Sequence, residues 1–299
     1  MYTRILVPLD GSATAEAVLP YVEAFAAGFK TSVELLSVFD IGAITSHFSA
    51  DKVHNVETII GVEEKHCANY LEKVAKSFSR FPTECRIVRG TPAEAILNSM
   101  SKDQGTLIAM ATHGRSGVKR WLLGSVAEKV LRRTTNPLFL VRAASAQTSP
   151  QRIINSIVVP LDGSALAEQI LPTVSSWAQA LDIEVTLIRA FELPASAYYG
   201  KEDYLPDYDA MRERMRKDVA DYLKEKAHSL VAAGVRTVST STIEGSGPAE
   251  IISYARTAPR AVIAMSTHGR SGVQRWILGS VTEKVVRHAD DPVLVVRGK

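Results

Sequence analysis

Short apolar runs alternate along the chain with longer amphipathic stretches, and that alternation predicts its architecture. In the first half the apolar runs are Arg4–Leu9, Val33–Phe39, Glu84–Val88, Thr106–Ala111 and Pro137–Arg142. Between them, helical spacing of apolar residues covers Thr14–Phe29, Glu57–Ser79, Pro92–Met100 and Ser125–Arg133. Ile5–Leu9, Leu107–Ala111 and Leu138–Val141 are nearly continuous apolar segments rather than alternating ones. Strands covered on both faces look like this, as in a parallel sheet flanked by helices. A strict strand–helix order implies right-handed crossovers and an α/β, doubly wound, Rossmann-like sheet of five parallel strands with helices on both faces. The second half repeats the order, with strands expected at Ser156–Leu161, Val185–Phe191, Arg236–Thr242, Ala261–Ser266 and Pro292–Arg297.

The halves are also related in sequence. Ile5-Leu6-Val7-Pro8-Leu9-Asp10-Gly11-Ser12 returns as Ile157-Val158-Val159-Pro160-Leu161-Asp162-Gly163-Ser164, and His113–Arg142 returns as His268–Arg297 with 19 of 30 positions identical. The offset grows from 152 to 155 residues, a net insertion of three. A period this long marks a domain duplication rather than a solenoid. The small, polar stretch Ala143–Pro150 lacks periodicity and reads as a connector. The expected organisation is domain one at 1–143, a linker at 144–152 and domain two at 153–299.

Composition narrows the function classes. At 46% hydrophobic and 22% charged residues the chain has the make-up of a soluble globular protein. A net charge of +3 without a long basic run argues against a nucleic-acid binder. Cys67 and Cys85 have neither metal-like nor redox-like spacing. No apolar stretch reaches the roughly 20 residues of a membrane span, and the start runs directly into a strand. A cytoplasmic protein without a membrane role is expected.

In open α/β sheets, ligands bind beyond the carboxyl ends of the strands, where the strand order reverses. Two blocks should meet there: Asp10-Gly11-Ser12 after strand one, and Ala111–Gly117 with Gly124-Ser125 after strand four. Ser125 and Glu128 have capping-box spacing, as do Ser280 and Glu283, so each serine is expected to cap the last helix of its copy. A helix start offers free N–H groups and the positive dipole end, and glycine lets a phosphate approach the backbone. On this reading Gly114, Arg115, Gly117, Gly124, Ser125 and Val126, with Gly269, Arg270, Gly272, Gly279, Ser280 and Val281, form two phosphate cradles. Replacing Gly124 and Gly279 by Val is expected to fill the phosphate position and spare the fold. Asp10 and Asp162 have two readings, acceptors for a ribose or local Asx turns. His113 and His268 read as structural residues rather than catalysts; Trp121 and Trp276 read as packing. The connections Asp40–Val56 and Glu192–Asp207 are long for this fold, and either a lid or disorder would account for them.

At these residues both halves resemble the universal stress protein family, over nearly the whole chain. Its ATP-binding members carry a Gly, two residues, a Gly, nine residues, then Gly-Ser or Gly-Thr. Gly114 with Gly124-Ser125 and Gly269 with Gly279-Ser280 fit the later part, whereas Ala111 and Ser266 stand where the leading glycine would be. The resemblance implies a strand order of 3-2-1-4-5, the ribose at Asp10 and Asp162, phosphates at the glycine loops, and adenine near Val38 and Ala190. It implies ATP as ligand, with ADP or AMP as alternatives and Mg²⁺ arriving with the nucleotide. It also implies a stress-response role, pairing of the two domains within the chain through their last strands, and homodimers as a further option. No Walker A motif appears, Gly245-Ser246-Gly247 stops short of a dinucleotide fingerprint, and Gly114-Arg115-Ser116-Gly117 misses a nucleophile elbow by one residue. The expectation is therefore a regulatory nucleotide binder with at most slow hydrolysis. A weak hydrolase and a nucleotide-free scaffold are the alternatives.

Overall fold

The structure, a computed structural model, describes residues 2–40, 56–100, 103, 105–113, 123–142, 154–193, 207–258, 260–267 and 278–298. The chain divides into two compact units, Met1–Ile153 and Ile154–Lys299. Unit one runs β1 (Arg4–Pro8), α1 (Ala13–Glu16), α2 (Leu19–Phe29), β2 (Ser32–Phe39), α3 (Val56–Ala75), a 3₁₀ turn at Lys76–Phe78, β3 (Thr83–Arg89), α4 (Pro92–Met100), β4 (Thr106–Ala111), α5 (Ser125–Arg133) and β5 (Leu138–Val141). Parallel ladders join β1 to β2 and β4, β2 to β3, and β4 to β5, giving the order β3-β2-β1-β4-β5.

Unit two runs β6 (Ser156–Pro160), α6 (Ala165–Glu168), α7 (Leu171–Leu181), β7 (Glu184–Phe191), α8 (Tyr208–Ala232), β8 (Val238–Glu244), α9 (Gly247–Thr257), β9 (Ala261–Ser266), α10 (Ser280–His288) and β10 (Val293–Val296). Its ladders give β8-β7-β6-β9-β10, again all parallel. The order reverses beside β1 in one unit and beside β6 in the other, so each sheet has a switch point beyond the carboxyl end of its first strand.

The uninterrupted apolar runs are strands covered on both faces: every residue of β4, β5 and β9 is buried. In unit one α2 packs Phe25 edge-on to Phe139, with ring centroids 4.8 Å apart. Unit two has Trp177 at the place of Phe25, with no exposed surface. The helix expected over Thr14–Phe29 is two helices, α1 and α2. Pro20 lies in the first turn of α2 and has no N–H to continue a helix from Glu16, and Tyr21 N–H bonds Val18 O at 3.0 Å. Pro172 lies in the corresponding first turn of α7.

The duplicated cores have diverged in polar chemistry. In β2 the buried Glu34 carboxylate pairs with Arg4 and, at 3.3 Å, with Arg86. At the matching place in β7, Thr186 instead shares a 2.9 Å hydrogen bond with Ser239. Before β5, the buried Asn136 amide donates to Asp103 O at 2.8 Å and Thr106 O at 3.0 Å. The corresponding residue before β10 is Asp291, as the proline carbonyls that follow show: Pro137 O accepts from Ile108 N–H and Pro292 O from Ile263 N–H. The enclosed Asp291 Oδ2 has no hydrogen-bond partner. Burial, then the neighbouring Asp290 charge, push its carboxyl above the ordinary aspartate range.

Candidate functional site

Each site begins where the first strand stops. In Asp10-Gly11-Ser12 the Asp10 Oδ1 accepts from Ser12 N–H at 3.0 Å and from the Ser12 hydroxyl at 2.6 Å. Ser12 Oγ in turn accepts from Ala15 N–H at 3.1 Å and starts α1. Gly11 has φ 82°, a left-handed conformation that glycine adopts without a Cβ penalty. Asp162, Gly163 and Ser164 repeat the construction, with 2.9, 2.6 and 3.1 Å bonds and φ 86° at the glycine. One oxygen of each aspartate is therefore engaged in the local turn.

The second half of the site hangs on Thr112. Its N–H donates to Val141 O and its carbonyl accepts from Gly124 N–H, both at 2.8 Å. The start of α5 is thereby stitched to the end of β4. A Cβ on Gly124 would lie 2.8 Å from that same Thr112 oxygen. Glycine is required here for backbone to pack on backbone, so Gly124→Val would disturb the stitch itself, contrary to the expectation of a spared fold.

The capping boxes do not form. Gly124, with φ −61° and ψ 147°, is the cap residue of α5 and Ser125 the first helical residue, with no side chain capping the end. Glu128 comes one position too late to reach back. Its N–H closes the first helical turn on Gly124 O at 2.8 Å, and its carboxylate holds Arg132 at 3.0 Å. Gly279, Ser280 and Glu283 repeat this in α10, with Glu283 paired to Arg287 at 3.0 Å. Both serines are thus left at an uncapped helix start, where N–H groups and the positive dipole end attract an anion.

In unit one these pieces meet in a cleft of about 290 Å³ whose lining includes Asp10, Val38, Gly124, Ser125 and Val126. In unit two the matching cleft is about 320 Å³ and is lined in part by Asp162, Ala190, Gly279, Ser280 and Val281. Gly114, Arg115, Gly117, Gly269, Arg270 and Gly272 lie outside the described residues, as do residues 41–55 and 194–206 of the two long connections. Ala111 and Ser266 end β4 and β9 in extended backbone, paired to Val141 and Val296. Neither has positive φ, so a glycine is not needed at either place.

Several lining residues carry no motif and were not singled out in the sequence. Leu36 and Met110, with Pro92 and Ile96 from α4, wall one side of the first cleft with apolar surface. Along the sequence Leu36, Ile96 and Met110 read as ordinary core residues. His113 also lines this cleft; its Nδ1 lies 3.0 Å from the Thr112 hydroxyl. Its Nε2 is enclosed without a hydrogen-bond partner. Burial, then the Arg142 charge, lower its pKa, so the imidazole is neutral near pH 7. Thr112 rather than a carboxylate orients it.

The second site differs in its surroundings. Arg189 lies 4.9 Å over the Tyr222 ring and packs on Gly163, and the Tyr222 hydroxyl donates to Glu168 at 2.9 Å. Burial, then the Glu168 hydrogen bond, raise the Tyr222 pKa, which keeps it a neutral donor. At the helix facing the cleft, Gly247 of α9 occupies the place of Pro92. Among the described residues no group of three or more His, Cys, Asp or Glu side chains could hold a metal ion, and no helix is long and apolar enough to cross a membrane.

A doubly wound sheet with a ligand-sized cleft at its switch point, built twice, defines a tandem Rossmann-like protein. The family model of the universal stress protein family matches residues 1–142 and again 154–297, and the chain belongs to that family in two-domain form. Universal stress protein MJ0577 of Methanocaldococcus jannaschii is 31% identical over 159 residues, which span 48% of this chain and 96% of that protein. Universal stress protein MJ0531 of the same organism is 29% identical over 150 residues, or 49% of this chain and 84% of its own. Among solved structures, a universal stress protein from Archaeoglobus fulgidus covers 99% of this chain and of its own at a TM-score of 0.70 and 20% identity. A putative universal stress protein from Pseudomonas aeruginosa covers 99% of this chain and 94% of its own at 0.67 and 14%. These two share the fold of the whole chain.

Proposed function

We propose that each cleft binds an adenine nucleotide and that the protein is a regulatory nucleotide binder, with at most slow hydrolysis. The observation that carries this reading is the meeting, in one concavity, of a strand-end aspartate, an apolar slot and an uncapped helix start opened by glycine. The slot beside Val38, Ile96 and Met110 suits a flat purine, which gains by leaving water. Asp10 and Asp162 face the ribose, each using a carboxylate already oriented by its turn. The backbone at Gly124–Val126 and Gly279–Val281 receives phosphate oxygens, and ATP is favoured because its charge suits a helix start. Mg²⁺ would enter with the nucleotide, held by phosphate oxygens and water. Within this reading the missing leading glycines do not close the loop, because Ala111 and Ser266 are ordinary strand residues.

The test is to purify the full chain gently, denature it, and quantify released nucleotide by chromatography, then titrate stripped protein with ATP and Mg²⁺ by calorimetry. Two ATP per chain is the expected stoichiometry. Absence of released nucleotide together with no heat at millimolar ATP would overturn the proposal.

A further inference from the structure

The two clefts differ in charge behind the strand-end aspartate. In unit two Arg189 precedes the cleft-lining Ala190 on β7, and its guanidinium packs on the Asp162-Gly163 turn. A Cβ built on Gly163 would stand 2.8 Å from one guanidinium nitrogen and 3.0 Å from the central carbon. That carbon lies 4.9 Å over the Tyr222 ring, and the Tyr222 hydroxyl donates to Glu168 Oε1 at 2.9 Å. Lys226 Nζ reaches Glu168 Oε2 at 3.1 Å. Asp162, Glu168 and Arg189 all act electrostatically on that one hydroxyl, so the group shares a small volume. Within it the two cations offset the two carboxylates.

Unit one carries no charge at the place of Arg189. Leu9 N–H bonds Leu36 O as Leu161 N–H bonds Ile188 O, which aligns Ser37 with Arg189. Ser37 is buried and neutral. The two turns are otherwise built bond for bond alike, through Asp10 and Ser12 in one and Asp162 and Ser164 in the other. What the second turn adds is a guanidinium. Asp162 lines a cleft of about 320 Å³ that the helix start at Gly279–Val281 lines as well. Across so small a cleft a charge at the rim acts within about one screening length, ~10 Å at 0.1 M salt.

We infer that Arg189 is a specificity residue of the second cleft: its charge raises that site's preference for ATP over AMP. This rests on the nucleotide reading above. Asp162 brings a negative charge to the ribose end of the cleft and repels every phosphate group bound there. Arg189 offsets that repulsion, and the benefit grows with the charge of the ligand. The two further phosphate groups of ATP add about two negative charges to those of AMP. At about 10 Å, with an effective dielectric between that of a protein surface and that of water, one guanidinium favours those charges by roughly twofold to tenfold in affinity.

The experiment is calorimetric titration of the full chain with ATP and with AMP, Mg²⁺ omitted, at low and high salt. Arg189→Gln keeps the length of the side chain and removes its charge. At one of the two sites it should lower the ATP-to-AMP affinity ratio by roughly twofold to tenfold at about 0.1 M salt, and leave the other site unchanged. The effect should fade at about 1 M salt, where the screening length is ~3 Å. Arg189→Lys, which keeps the charge, should restore the ratio. Unit one holds a neutral residue at this place, so the uncharged variant should fold, which a circular dichroism melt checks. Arg189→Ser, with the residue of unit one, should give the same loss as Arg189→Gln. A merely structural role would weaken ATP and AMP equally and without regard to salt. That outcome, or an unchanged ratio at both sites, would overturn the assignment while leaving nucleotide binding intact. If neither nucleotide binds the unmodified chain, the nucleotide reading fails and this inference with it.

Discussion

Asp291→Asn should stabilise the second unit. In unit one Asn136 donates two hydrogen bonds, at 2.8 and 3.0 Å, to carbonyls that the chain brings together before β5. Asp291 holds the corresponding place with a carboxylate that has no hydrogen to donate, and its enclosed Oδ2 is unpartnered. Supplying an amide there adds up to two hydrogen bonds, each worth about 0.5–1.5 kcal/mol net, so a gain of about 1–3 kcal/mol is expected. For a unit of this size each kcal/mol moves the melting temperature by about 2–4 °C. The pH dependence gives a second reading. The folded-state pKa of Asp291 is raised above the unfolded value, so the folded state binds the proton more tightly. Its contribution is fully present below the unfolded pKa, near 4, and is lost as pH rises through the raised folded value. The advantage of Asp291→Asn should therefore be small at acid pH, grow as pH rises, and then level off. Differential scanning calorimetry of both proteins between about pH 4 and pH 8 measures this. An unchanged or lower melting temperature at neutral pH, or an advantage independent of pH, would refute the reasoning. Asn136→Asp is the reverse control and should destabilise unit one.

Three further outcomes follow from the site geometry. Ser125→Ala should leave the melting temperature within about 1 °C, because Ser125 does not cap α5; a true cap would cost about 1 kcal/mol. Gly124→Val should destabilise unit one by about 1–3 kcal/mol, the scale of an overpacked core site, since its Cβ would press the Thr112 oxygen; a melt unaffected by the substitution would contradict the stitch. Asp10→Asn keeps Oδ1 for the Ser12 turn and removes the charge, whereas Asp10→Ala also loses two hydrogen bonds, so only the alanine variant should lower stability, by about 1–2 kcal/mol, while both weaken ATP binding by calorimetry.

Much of the fold could be read from the chain because burial on both faces leaves a plain mark. Ile5–Leu9, Leu107–Ala111 and Leu138–Val141 are uninterrupted apolar runs, and nearly every residue in them is buried. The duplication then carried the reading from one half to the other. Misreadings arose where a local pattern has two geometric solutions. Ser125 and Glu128 have capping-box spacing, but the chain enters α5 one residue earlier, at Gly124, because that residue is bound to Thr112 O. Pro20 inside an amphipathic stretch was compatible with one helix or two, and the missing N–H decided for two. That the strand-end aspartates and Gly124 would come together in one cleft was legible from the topology. The apolar wall was not, since Leu36, Ile96 and Met110 look like any core residue until neighbouring elements bring them together.

The hydrogen bond from Gly124 N–H to Thr112 O, and its twin from Gly279 N–H to Thr267 O, both 2.8 Å, clasp the start of the last helix to the end of the fourth strand in each unit, so the two ends of the intervening chain are held together. Closing such an excursion costs an entropy that grows only slowly with its length, by about 0.6 kcal/mol per doubling. A change in the number of residues between the clasped ends therefore costs the frame little, provided the clasp itself is kept.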